Sequence, residues 1–250
     1  MADAPSRAGT GHGALPSHAG ALIGPNAVLQ MAWAMEAGIG AAAAREVLEV
    51  AGIDTLPSGE AMVAEGEALR LHQALAMLHP DAAEAVAEEA ALGTADYIIA
   101  NRIPRLAALA LRWLPAPIAA RLLMRAIERH AWTFIGAGRF TVAGPWHFSV
   151  DRSQAGDRIA PPDTLFHWYA AVFARLYSRL VRSASGCTGA APDPHYPLRW
   201  HYRIAPLTAG AARVRAAPPA PAAIRQSPAP RSAARRPPAS ASPPASQATS

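Results

Sequence analysis

A chain of 250 residues, 51% hydrophobic and 16% charged, is long enough to bury one sizeable core. Its formal net charge of +5 invites a nucleic-acid reading, but six arginines beyond residue 210 meet no acid there, and without them 17 basic residues stand against 18 acids. The rest of the chain is therefore near neutral, nucleic acid is not an expected partner, the absence of lysine excludes a Schiff base, and a single cysteine, Cys187, excludes an intrachain disulfide or iron–sulfur cage.

Residues 1–20 are rich in Gly, Ser, His and Pro and read as disordered, with no apolar leader segment. "GPNAVLQMAWAMEAG" reads as a first helix, with Pro25 at its start and Gly38 or Gly40 at its end. Ser58 is placed to cap the next helix, with Glu60 in its first turn. "PDAAEAVAEEAALG" has Asp81 and Glu84 at capping-box spacing and an expected stop at Gly93, after which Thr94 caps "ADYIIANRI". Pro104 interrupts that helix, because proline lacks an amide hydrogen and disfavours helix at Ile103. Pro115 and Pro117 mark another junction before "IAARLLMRAIERH". The apolar run over 103–132 is cut by Arg105, Arg112, Arg121, Arg125 and Arg129, so no bilayer-spanning segment is expected.

Beyond His130 the period changes to two. Trp132 and Phe134 alternate, as do Phe140 and Val142, then Trp146, Phe148 and Val150. Gly136 and Gly138 fall between the first two runs, so "HAWTFIGAGRF" reads as a hairpin. "PPDTLFHWYAAVFARLYSRLVRSASG" reads as a long helix capped by Asp163 and closed by Gly186. Leu165, Tyr169, Val172, Phe173, Leu176 and Leu180 share its apolar face, opposite His167, Arg175, Ser178, Arg179 and Arg182. "PLRWHYRI" alternates Leu198, Trp200 and Tyr202 against Arg199, His201 and Arg203, as a last strand pairing with the hairpin would. Helices followed by hairpin, helix and strand give an α+β domain with an antiparallel sheet over 21–205. The Ala/Pro/Ser/Arg tail, 206–250, reads as disordered.

The nine histidines show no H-x-x-x-H pair beside an acid and no zinc spacing with cysteine, so a metal site of several protein ligands is not expected. His130, His147, His167 and His201 lie in or beside the aromatic region, where one histidine suffices as axial ligand to a chelated metal. Trp132, Trp146, Trp168 and Trp200, with Phe134, Phe148, Tyr169 and Tyr202, suit either one wall of a flat apolar pocket or the core between sheet and helix. Arg102 and Arg105 flank the Pro104 break, and Arg121, Arg125 and Arg129 form an i, i+4, i+8 stripe. Such guanidinium groups suit a carboxylate, a solvated helix face or a membrane surface. No G-x-G-x-x-G follows a strand, and no Walker loop or G-x-S-x-G elbow occurs.

Three segments carry a resemblance: "IGPNAVLQ" (23–30), "TADYIIANRIP" (94–104) and "HAWTFIGAGRF" (130–140). Together they resemble the bacteriochlorophyll 4-vinyl reductase family of photosynthetic bacteria, over about 21–185. The resemblance implies an α/β ligand-binding fold similar to that of small Golgi transport-particle subunits and haem-based gas sensors. It implies action on the 8-vinyl group of a divinyl chlorophyllide or protochlorophyllide. Many members of the wider domain carry several cysteines near the last helix and strand; only Cys187 stands here, so a cysteine-held metal is not implied.

The expectation is a carrier of, or accessory to reduction of, a magnesium tetrapyrrole. Trp132, Phe134, Trp146, His147 and Arg102 would form the pocket. NADPH enters only if the chain is itself the reductase. A helix-dimerising scaffold is a further alternative. Expected partners are the pigment intermediate, other pigment-biosynthesis enzymes, a second copy and a membrane surface. The expected location is cytoplasmic or peripheral to the photosynthetic membrane.

Overall fold

A computed structural model of the chain describes residues 20–156 and 160–207. The expected disorder of residues 1–19 and of the tail from 208 onward lies outside the described residues. The described part is α+β, as the order of patterns implies. It opens with strand β1 (Leu22–Ile23), helix α1 (Asn26–Ile39) and helix α2 (Ala41–Val50). Gly40, at φ +86°, makes the break between the two helices. Strand β2 (Val63–Ala64) pairs antiparallel with β1 and leads directly into helix α3 (Glu65–Leu78). The helix expected after Ser58 thus starts seven residues later. Ser58 Oγ still accepts from the Glu60 amide at 3.5 Å, but as a local turn.

Helix α4 (Pro80–Asn101) runs through Gly93 without stopping. The reason is tertiary: a Cβ on Gly93 would strike the Gln30 side chain of α1, so glycine there permits a close helix approach. Thr94, expected to cap, instead folds its hydroxyl onto the Ala90 carbonyl at 2.8 Å within the same helix. Pro104 and Pro115 do break the chain, separating helix α5 (Arg105–Trp113) and helix α6 (Ala116–Arg129).

The alternation at Trp132 and Phe134 is not a strand. These residues form a single turn, α7 (Trp132–Ile135), closed by Gly136 at φ +56°. Within it Trp132 is exposed and Ile135 buried. The hairpin comes later, as strands β3 (Arg139–Gly144) and β4 (His147–Asp151), with its tip at Pro145 and Trp146.

Helix α8 (Asp163–Leu180) has Pro162 at its cap position, with Asp163 in its first turn rather than capping. It ends well before Gly186. Ala184, at φ +57°, turns the chain into strand β5 (Ser185–Pro192), which sequence periodicity misses because its residues are small. Strand β6 (Arg199–Pro206) follows. The four-stranded antiparallel sheet has the order β3-β4-β6-β5.

One core joins helices and sheet. Trp200, Tyr202 and Ile204 of β6 and Phe148 and Val150 of β4 face α8, whose whole expected apolar stripe is buried. Phe148 stacks between Phe173 at 4.0 Å and Tyr202 at 4.6 Å, and Phe140 joins the same stack. Arg175 of α8 clasps Asp96 of α4 through two hydrogen bonds, 2.9 and 2.7 Å. Tyr177 donates to the Pro145 carbonyl at 2.5 Å, tying α8 to the hairpin tip, and burial pushes its hydroxyl pKa up.

Candidate ligand-binding site

Glu65 is the first residue of α3, aimed from the end of β2 towards α7. Arg152 follows the last residue of β4 and turns inward, with its side chain 1% exposed against 13% for Glu65. Arg152 Nη1 donates to Glu65 Oε1 at 2.5 Å, and the Ala137 amide donates to Glu65 Oε2 at 2.9 Å. One carboxylate therefore fastens the loop after α7 to the floor of the domain. This explains Gly136: a Cβ there would overlap the Glu65 carboxylate. Gly136 serves this close approach, while Gly138 brings its backbone near the Ile135 and Asp151 carbonyls; neither forms a phosphate cradle or a hairpin turn.

Two helical turns beyond Glu65, on the same face of α3, His72 is 2% exposed. Its Nδ1 lies 3.4 Å from Thr164 Oγ1. Burial lowers its pKa to about 4, so the ring is neutral at physiological pH. Helix α8 supplies Leu165, Trp168 and Tyr169, spaced i, i+3, i+4 so that they share a face. Tyr169 donates to the Phe134 carbonyl of α7 at 3.3 Å. Trp168 is 4% exposed, and its Nε1–H has no hydrogen-bond partner among the described residues. Leaving such a donor buried and unmade costs about 1–3 kcal/mol.

These groups surround a cavity with Ile23, Ala27 and Phe134 on its outer side. Its volume of about 20 Å³ holds roughly one water molecule. A macrocycle does not enter this cavity unless α7 moves. Polar contacts to that turn include the Gly24 amide to the Thr133 carbonyl at 2.8 Å, Ala137 to Glu65, Tyr169 to Phe134, and Arg152 Nη1 to the Ile135 carbonyl at 3.5 Å.

Of the five residues expected to form a pocket, Phe134 lines the cavity and Trp132 sits on the same turn, 61% exposed. Trp146 lies at the hairpin tip against Tyr177, with ring centroids 5.5 Å apart. His147 is exposed at the start of β4, opposite Arg203 of β6. Arg102 is exposed at the end of α4, over the Tyr97 ring at 5.9 Å. The structure does not gather these five at one place. Trp168 and Tyr169 belong to the aromatic set that the sequence marks out. Glu65, His72 and Arg152 carry no such mark, since Glu65 and Arg152 stand 87 residues apart and read singly as a helix-start acid and a strand-end base. Among the described residues no group of three or more His, Cys, Asp and Glu is placed to hold a metal ion, and no helix is long and apolar enough to cross a membrane.

Fold and site define an α+β protein with an antiparallel sheet and a small cavity that has aromatic walls and an ion-paired floor. No family model matches the chain. It is 42% identical over 186 residues to the "Bacteriochlorophyll synthase 23 kDa chain" of Cereibacter sphaeroides, covering 70% of this chain and 89% of that one. It is 41% identical over 161 residues to the protein of the same name from Rhodobacter capsulatus, covering 64% of this chain and 75% of that one. The chain belongs to the family of the bacteriochlorophyll synthase 23 kDa chain, and so to the proteins of bacteriochlorophyll biosynthesis. Those names do not speak of vinyl reduction.

Proposed function

We propose that the chain binds a divinyl chlorophyllide- or protochlorophyllide-type magnesium tetrapyrrole and presents it to the enzymes that modify it, vinyl reduction being the step served. One observation carries this reading: a buried guanidinium, an indole N–H without an acceptor among the described residues and an aromatic wall converge under a single helical turn. A magnesium tetrapyrrole is broad, flat and apolar and bears a propionate. Its ring suits Phe134, Trp168 and Tyr169, and its carboxylate suits the fork of Arg152. Binding proceeds by lifting α7, with Trp132 and Phe134, off the cavity. The propionate then replaces Glu65 as partner of Arg152, and the Trp168 N–H gains an acceptor.

A carrier is favoured over a reductase with its own NADPH. The described sheet is antiparallel throughout, so it offers no βαβ unit whose glycine-rich turn meets a pyrophosphate at a helix N-terminus. The proposal is tested by titrating the purified chain with divinyl protochlorophyllide and following pigment absorption and tryptophan emission. The expected result is saturable binding with no change in the vinyl absorption when NADPH is added. Turnover by the isolated chain makes it the reductase. Absence of binding removes the pigment reading and leaves a scaffold.

A further inference from the structure

Helices α5 and α6 carry an apolar surface that the fold does not use. In α5, Leu106, Leu109, Ala110 and Trp113 recur at i, i+3, i+4 and i+7, the spacing of one helix face. That face points away from the core: Leu106 is 81% exposed and Trp113 82%, while the opposite side buries Leu111. Helix α6 adds Ile118 and Leu122, both exposed, above a buried face of Ala119, Ala120, Leu123 and Met124. Large apolar side chains this exposed on neighbouring helices are unusual for a free surface.

The charge around them is one-sided. Residues 97–150 hold seven arginines and one acid, Glu128, whereas residues 21–96 hold twelve acids and two arginines. All seven arginines are exposed. Arg105 and Arg112 border the apolar stripe of α5, and Arg121, Arg125 and Arg129 run along the exposed side of α6. Arg112 Nε donates to the Arg179 carbonyl at 3.1 Å, which brings in the C-terminal end of α8 with its exposed Arg179 and Arg182.

We propose that the α5–α6 face docks on an anionic phospholipid bilayer, with Trp113, Leu106 and Leu109 entering the headgroup boundary and the arginines meeting phosphates. Tryptophan and leucine on one side of a helix with arginine beside them is the composition of an interfacial helix, and tryptophan favours the headgroup level. Twelve of the eighteen acids lie in the 21–96 segment and only Glu128 in 97–150, so α5 and α6 themselves carry little charge to repel an anionic lipid. A second copy offering that acidic segment would match the charge, but such a head-to-tail contact yields a ring or an open chain rather than a two-fold dimer. This docking does not depend on pigment binding.

The test is flotation of the full chain with vesicles of phosphatidylcholine alone or mixed with phosphatidylglycerol, with tryptophan emission read in parallel. The chain is expected to float with the anionic vesicles, to shift its emission to the blue, and to be released as salt rises. Arg105→Gln/Arg121→Gln/Arg125→Gln should lower the partition coefficient about a hundredfold, at about fivefold per charge. Leu106→Ser/Trp113→Ser should lower it at least about tenfold. Both variants alter only exposed positions and should keep the parent's circular dichroism and urea midpoint. Equal partition onto neutral vesicles, or no flotation, overturns the proposal. So does flotation of both variants at the parent's level. A lipid-free dimer that Leu106→Ser/Trp113→Ser dissociates in sedimentation equilibrium also overturns it, and makes the face a contact between copies.

Discussion

Single residues around Glu65 show how much depends on side chains that no local pattern reveals. Gly136 has a positive φ and the Glu65 carboxylate where a Cβ would stand. Gly136→Ala should destabilise the protein by about 2 kcal/mol in urea unfolding, from backbone strain and the displaced carboxylate together. Trp168→Phe removes a buried N–H that has no acceptor among the described residues while keeping an aromatic wall. Its unfolding free energy should stay within about 1 kcal/mol of the parent's. On the carrier reading its pigment affinity should fall several-fold, so the two measurements separate a packing role from a binding role. The aromatic members of the site were legible, because Trp168 and Tyr169 stand out in a chain with few aromatics. The ion pair was not. A lone Glu at a helix start and a lone Arg at a strand end are the commonest of residues, and only the closed chain joins them.

At the scale of elements, proline and strict alternation were good guides and glycine a mixed one, since Gly40 ends α1 as expected but Gly93 does not end α4. Pro104 and Pro115 interrupt the helical run because proline lacks a backbone donor and restricts the residue before it. The alternating runs of β3 and β4, the α8 stripe and β6 could be read because each has one face more buried than the other, although the hairpin turn was expected at Gly136 and Gly138 and falls at Pro145 and Trp146. Gly93 misled, since a glycine that admits a neighbouring helix looks locally like one that ends its own. Changing both sides of that contact tests this. In a Gln30→Ala background, where the obstructing side chain is gone, Gly93→Ala should stabilise by about 1 kcal/mol through helix propensity alone. In the parent the same change should give less or the opposite, measured by thermal or urea unfolding. Trp132 and Phe134 misled for a related reason: two alternating residues fit one helical turn as well as a short strand. Strand β5 offered no alternation to detect, being built largely from Ser, Gly, Ala and Pro.

At the scale of the whole molecule, the buried His72 ties stability to pH. Its pKa is about 4 in the folded chain against an ordinary 6.5, so below pH 6.5 the unfolded chain takes up a proton that the folded chain refuses. Stability from this group is intact above pH 6.5 and falls as pH drops towards 4. Between pH 7 and pH 5 the loss should be about 2 kcal/mol, and His72→Gln should remove that part of the slope in urea titrations at the two pH values. The chain's net charge told little at this scale, because a near-neutral sum conceals an acidic stretch followed by a basic one. The Glu65 fastening has a further consequence for kinetics. Its two side chains meet only after 87 residues of chain have closed on themselves, so it is among the contacts that form late. The Ala137 amide, whose proton it holds, should therefore report on opening of that loop alone. In deuterium exchange it should lose protection before the amides of α4 and α8, at a rate that Glu65→Ala raises and global denaturant barely changes.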